Sequence, residues 1–196
     1  AAKYGRRDSD WEFGTNPCSE IILRPYQFCN LTEVVVRATD DIESLSRKVR
    51  LATILGTIQS TYTKFPYLRK VWQRNTEEER LLGVSLTGIM DNPLMTTANK
   101  GLEKTLETLR KLAVDTNTLW ADRLGIPASA AITCVKPSGT VSQLVDSASG
   151  IHARHSKYYI RTVRGDNKDP LTQFMKDQGV PSEPDVMKPD ATTVFS

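Results

Sequence analysis

The residues with chemistry in them begin at Asn16-Pro17-Cys18-Ser19-Glu20. Within five positions they offer an amide that donates and accepts, a thiol, and a carboxylate that can act as a base. Pro17 biases Asn16 towards extended backbone and brings no N–H for a sheet. In an extended segment side chains alternate, so Asn16, Cys18 and Glu20 are expected on one side and Pro17 and Ser19 on the other. The plainer reading is a polar loop with an incidental cysteine, and spacing alone leaves both open. Cys29 stands eleven residues after Cys18, and Pro25 between them turns the chain so that the two thiols can approach. A metal half-site is another reading of the pair. No second Cys/His pair stands at ligand spacing, and His152 and His155 have no companion cysteines, which argues against zinc.

A second group of residues runs Lys136-Pro137-Ser138-Gly139-Thr140-Val141-Ser142, after an apolar run and before a short helical pattern. Free N–H groups at a helix start attract anions, Gly139 allows close approach of the backbone, and Ser138, Thr140 and Ser142 add hydroxyl donors. The Walker spacing is missing, and a capped helix after a Pro-Gly turn is the competing reading.

Together these residues carry a resemblance. Asn16 to Glu20 followed by Cys29 resembles the finger loop of ribonucleotide reductases, over residues 14–24. The eleven-residue gap is similar to that of the adenosylcobalamin-dependent (class II) members. Lys136 to Ser142 resembles the substrate phosphate loop of the same family, over residues 136–142, with Pro137, Ser138, Gly139, Thr140, Val141 and Ser142 as its contacts. Gly150-Ile151-His152 followed by Tyr158-Tyr159-Ile160-Arg161 looks like the monomeric branch. The likeness spans nearly the whole chain, and two motifs in order, more than a hundred residues apart, are more specific than either alone.

The resemblance implies radical reduction of the ribose 2′ position, with adenosylcobalamin as cofactor and triphosphates favoured as substrates. Cys18 would lose its hydrogen atom to an adenosyl radical, and its thiyl would take the ribose 3′-hydrogen. Glu20 would remove the 3′-OH proton as the 2′-OH leaves as water. Asn16 would hold the ribose hydroxyls. Cys29 would be one of two thiols that end as a disulfide, re-reduced by thioredoxin or a similar reductant. A thiyl must be shielded, so the loop is expected in a closed cavity. The implied fold is a ten-stranded α/β barrel around a central finger loop, with about half of it present here as one partial domain. The expected partner of Cys29 lies upstream of the loop, where these fifteen residues hold no cysteine. Cys134 reads instead as a buried strand residue, beside Ile132 and Val135.

The elements that must position these residues follow from periodicity. Residues 1–15 read as loop and Asn30 to Arg37 as a strand. Asp40 to about Lys64 has apolar residues at helical spacing, with Asp40 or Asp41 as cap. Thr76 to Leu82 reads as a short helix opened by a Thr76/Glu79 capping box. Gly83 to Met90 reads as a strand, Lys100 to Leu124 as a long helix closed by Gly125, and Ala130 to Val135 as a strand. Thr140 to Val145 reads as a short helix, Tyr158 to Val163 as a strand and Pro170 to Gln178 as a helix. Strands and helices that alternate in this way imply a parallel sheet with helices packed on it.

Composition fits a globular chain with no strong electrostatic calling. Net charge is +3, from 26 basic and 23 acidic residues, too mild to argue for direct nucleic-acid or membrane partners. The basic run from His152 to Arg164 reads as a solvated strand edge. No apolar run reaches the roughly 18 to 20 residues of a membrane helix. Three cysteines without a secretory signal suit a reducing cytoplasm. The absent initiator Met and the apolar Thr192 to Phe195 end suggest a fragment, inactive without the remainder of its polypeptide. Two further readings are kept: a metal-radical (class I) large subunit, and a nucleotide-binding α/β module without radical chemistry, which would tolerate loss of Cys18, Glu20 and Cys29.

Overall fold

The structure, a computed structural model, describes residues 7–96 and 100–196. Residues 1–6 of the expected opening loop lie outside that range. The chain divides into two compact units, Ala1–Arg154 and His155–Ser196.

The first unit opens with a hairpin of β1 (Gly14–Thr15) and β2 (Ile22–Leu23), paired antiparallel. Then come β3 (Asn30–Val35), α1 (Ile42–Gln59), α2 (Lys70–Glu79), β4 (Leu82–Thr87), α3 (Lys100–Leu124) and α4 (Thr140–Leu144). β3 and β4 pair in parallel, from Asn30 opposite Leu82 to Val35 opposite Thr87. Residues 131–134 run along the other edge of β4. Val84 N–H donates to Ile132 O at 2.8 Å, and Cys134 N–H to Val84 O at 3.1 Å.

One face of this sheet is covered by helices. Val34, Val36 and Val84 pack on Leu45, Val49 and Ala52 of α1 and Leu109 and Ala113 of α3, the contiguous apolar core. Burial of this kind contributes about 25 cal/mol per Å² of apolar surface, so the interface is the main stabilising term of the unit. Asp41 caps α1: its carboxylate accepts from Ser44 N–H at 2.8 Å, and Ser44 Oγ accepts from Asp41 N–H at 3.0 Å. Asn117 ties α3 to α1, its amide donating to Thr57 Oγ1 at 3.0 Å.

Three local readings need correction. The helix expected to start at Thr76 starts earlier, and Thr76 lies in its last turn. α2 starts at Lys70, Thr76 O accepts from the left-handed Arg80 at its C-terminus, and Glu79 faces Arg7 instead of capping. The strand expected over 130–135 is a single parallel bridge, Val84 with Thr133. Ala130 turns away to bond Glu79 O, and Pro137 has no N–H to extend the ladder. Residues 158–162 form no regular element, because β5 starts at Val163, opposite Phe195, and no strand among the described residues pairs with those before it.

The second unit is an antiparallel sheet, with β7 (Thr192–Phe195) between β5 (Val163–Asp166) and β6 (Ser182–Pro184). α5 (Pro170–Asp177) is capped by Asp169, which accepts from Leu171 N–H at 2.9 Å, with Pro170 at its first position. The described residues are therefore α/β, with small sheets of two, two and three strands among them. No helix among the described residues is long and apolar enough to cross a membrane.

Candidate active site

The hairpin is held from below by a buried network. Arg7 lies bidentate on Glu79, at 2.9 and 3.0 Å, and its other nitrogen donates to Ile22 O at 2.8 Å. Gln27 joins them, donating to Glu79 and to Asn75 O. A guanidinium this buried is tolerable because its charge is paired and its donors are filled. The network fixes β2 against the end of α2 and sets where the hairpin tip stands.

The tip is a turn, which corrects the expected alternation. Ser19 takes φ 60° and its N–H donates to Asn16 O at 2.9 Å, while Ile21 N–H donates to Asn16 Oδ1 at 3.0 Å. A chain folded this tightly cannot present residues 16, 18 and 20 like the rungs of a strand. Asn16 works as the internal brace of the turn, Cys18 is exposed at its tip, and Glu20 points inwards.

Glu20 reaches the second motif. Lys136 Nζ donates to Glu20 Oε1 at 2.8 Å, across 116 residues of sequence, and the Glu20 side chain is only 3% exposed. Burial alone pushes the Glu20 carboxyl up. The Lys136 hydrogen bond, the Glu20 N–H and the Asn16 side chain outweigh it and hold the group below its ordinary value. The same bond, working against burial, holds Lys136 above its ordinary value, with Cys18 and Cys134 adding to it.

Cys29 and Cys134 belong to the same neighbourhood. Burial, with Cys134 and then Glu20 adding, pushes the Cys29 thiol up to about 12. Burial and Glu20 push Cys134 up to about 11. Both are therefore protonated thiols, slow as nucleophiles yet able to give up a hydrogen. Cys134 is half-buried beside the parallel bridge, with its sulfur turned to Gly83. Among the described residues no group of His, Cys, Asp and Glu side chains could hold a metal ion.

The loop after Lys136 is a tight double turn. Ser138 takes φ 58° and Gly139 φ 54°, and Gly139 N–H donates to Pro137 O at 2.7 Å. The Ser142 hydroxyl is occupied inside the loop, donating to Gly139 O at 2.6 Å, so it is not one of the free donors expected there. Ser138 Oγ is buried with no hydrogen-bond partner. Pro137, Thr140 and Val141 are exposed around it. The loop's return is fixed from behind: Ser149 Oγ donates to Pro137 O, and Arg154 grips Asp91 through two nitrogens at 2.9 and 3.1 Å.

The structure thus brings Cys18, Glu20, Cys29 and Lys136 into one neighbourhood, with Lys136 leading into residues 137–142. Sequence reasoning missed Lys136 as the partner of Glu20, and Arg7 with Glu79 as the hairpin's anchor. Neither pairing has a local signal, since the partners lie 116 and 72 residues apart.

No family model matches the chain. Among curated proteins it is 32% identical over 210 residues to the adenosylcobalamin-dependent ribonucleoside-triphosphate reductase of Lactobacillus gasseri, covering 92% of this chain and 27% of that protein. A crystal structure of a B12-dependent (class II) ribonucleotide reductase superposes with a TM-score of 0.72 at 28% identity, over 94% of this chain and 29% of that one. The chain is homologous to the class II ribonucleotide reductases. A probable adenosylcobalamin-dependent ribonucleoside-triphosphate reductase of Dictyostelium discoideum is 30% identical over 172 residues, covering 87% of this chain and 22% of that protein. The chain spans about a quarter of the length of the reductases it matches.

Proposed function

We propose that this chain is the catalytic stretch of a class II ribonucleotide reductase, acting within a longer polypeptide on ribonucleoside triphosphates. The observation that carries the reading is the Glu20–Lys136 ion pair, which joins the thiol-bearing hairpin to the 136–142 loop. In this reading the phosphates lie against Ser138, Gly139 and Thr140, and the ribose lies over Cys18. Gripping the remote phosphates fixes the reacting carbon, which is how binding energy serves chemistry.

Cys18 fits adenosylcobalamin as radical source in one respect: it stands exposed at a braced turn, where a radical formed outside the sheet can reach its S–H. When bound, the cofactor supplies that radical. The remaining steps belong to the chain. Cys18 takes and later returns the ribose 3′-hydrogen. Glu20, kept ionised by Lys136, accepts the 3′-OH proton as the 2′-OH departs with a proton as water. Two thiols supply the two electrons, the proton that the 2′-OH carries off and the hydrogen that replaces the hydroxyl, and close as a disulfide. Cys29 is one of them, and thioredoxin or a similar reductant reopens the bond. Asn16, beyond bracing the turn, holds a ribose hydroxyl. We further propose that the β3–β4 sheet is part of a ten-stranded barrel closing over the hairpin, and that the enzyme is cytoplasmic.

The test uses the full-length polypeptide that contains this segment. Reduction of CTP and CDP is assayed with and without adenosylcobalamin, with dithiothreitol as reductant. Deoxycytidine triphosphate formed only with the cofactor supports the reading. Activity that instead requires an added metal-radical subunit would assign the chain to class I, and no deoxynucleotide under either condition would sink the reductase reading.

A further inference from the structure

The face of the β3–β4 sheet turned away from the helices carries two side chains, Glu33 and Ser85, that the reaction above does not use. Alternation puts Cys29, Leu31 and Glu33 of one strand on this face, with Gly83, Ser85 and Thr87 of the next. Their register sets Leu31 opposite Gly83, Glu33 opposite Ser85 and Val35 opposite Thr87. Gly83 marks the level of the thiols. A Cβ there would stand 2.5 Å from Leu31 Cδ2, 3.1 Å from Cys134 Sγ and 3.2 Å from Ile21 Cδ1 of the hairpin. Thr87 marks the level of the phosphate loop's return, since its hydroxyl donates to Ala148 O at 3.0 Å and accepts from Gly150 N–H at 2.9 Å. Glu33 and Ser85 lie between the two levels.

One side-chain polar atom of each is unpartnered. Ser85 is 2% exposed, and neither its hydroxyl nor Glu33 Oε1 makes a hydrogen bond. Glu20 Oε2, from the hairpin above the same face, is a third such atom. Leaving one buried polar group unpaired costs roughly 1–3 kcal/mol, so several on one face are a strong sign of a missing partner. The chemistry of that partner follows from the donors and acceptors. Carboxylate oxygens only accept, while a serine hydroxyl can donate. The matching group gives a proton to Glu33 and accepts one from Ser85, which describes a neutral hydroxyl.

We propose that Glu33 and Ser85 form a hydroxyl-binding pair on the floor of the site, holding one sugar hydroxyl or one water molecule between the thiols and the phosphate loop. The proposal rests on the nucleotide-reductase reading. It adds a second polar wall, opposite the hairpin, to a site otherwise defined by Asn16, Cys18 and Glu20.

Equilibrium dialysis of the full-length polypeptide, without cofactor, tests it. The probes are CTP and 2′,3′-dideoxy-CTP, and the variants are Ser85→Ala and Glu33→Gln. Both variants are expected to bind CTP about tenfold more weakly than wild type. Unchanged binding of the dideoxy analogue then assigns the pair to a sugar hydroxyl, and equal weakening of both probes assigns it to a water. The melting temperature separates binding from packing. Ser85→Ala removes an unpaired hydroxyl, so it should melt no lower than wild type, whereas a purely structural serine would lower it. CTP binding unchanged in both variants overturns the pair while leaving the reductase reading intact. Wild-type protein that binds neither CTP nor its analogue overturns both.

Discussion

Two turns meet at the Glu20–Lys136 ion pair. In the hairpin tip, Asn16 accepts from Ser19 N–H through its carbonyl and from Ile21 N–H through its side chain, so the turn is complete without a ligand. The turn after Lys136 has the same left-handed serine, Ser138 at φ 58° against Ser19 at φ 60°, yet its Ser138 hydroxyl is buried and unpaired. A self-braced turn presents a reactive group at a fixed point. A turn with an unmet donor is finished by what binds it. On the reading proposed above, the first would carry the radical thiol and the second would hold the phosphates.

The largest expected effect lies on the hairpin side. Glu20→Gln keeps the shape of the side chain but removes the base, so kcat should fall about 10²- to 10⁴-fold with little change in KM. A fall in affinity alone would make Glu20 a binding group. Thiol labelling contrasts the tip with the sheet. At neutral pH iodoacetamide should modify the exposed Cys18 about a hundredfold faster than Cys29 or Cys134, whose thiols are half-buried and held protonated. Because Cys29 holds its proton up to about 12, the stability it contributes is intact below the ordinary thiol value and is lost as pH rises from there to about 12. Equal labelling of all three cysteines would remove the distinction.

Cutting the link between the turns should cost less. Lys136→Met leaves the Glu20 carboxylate buried without its ammonium, destabilising the protein by about 1–3 kcal/mol in urea titrations. The sign with pH is fixed by the lowered Glu20 value. In wild type its stabilisation is complete above the ordinary carboxylate range and is lost as pH falls through the lowered value, so the deficit of the variant should be largest at neutral pH and shrink as pH falls through that window. The smallest effect separates the two serines. Ser19→Gly and Ser138→Gly should each stabilise by about 1 kcal/mol by relieving left-handed backbone, but only Ser138→Gly should weaken nucleotide binding. Equal binding by both variants would deny the phosphate turn its role.

The long periodic elements were legible in the sequence. The cap at Asp41, the helix over Lys100–Leu124 and the strand from Asn30 all follow from local rules. Both stretches could be picked out in the sequence because each is contiguous. What local rules could not supply was anything set by partners far along the chain. Thr76 and Glu79 have the spacing of a capping box, but Arg7 claims Glu79 and the helix starts a turn and a half earlier. Tyr158 to Val163 has the composition of a strand, but without a pairing strand Tyr158 is 81% exposed. The alternation expected through Asn16, Cys18 and Glu20 failed because Asn16 satisfies the backbone of a turn, a choice that residue type permits and spacing does not reveal.

The most direct test of the central claim replaces one atom. In the full-length polypeptide, with adenosylcobalamin, dithiothreitol and CTP, wild type should form deoxycytidine triphosphate, while Cys18→Ala and Cys18→Ser should form none and still bind CTP as wild type does. Deoxynucleotide formation that survives either substitution would contradict the assignment of the radical thiol to Cys18, and with it the function argued for the hairpin.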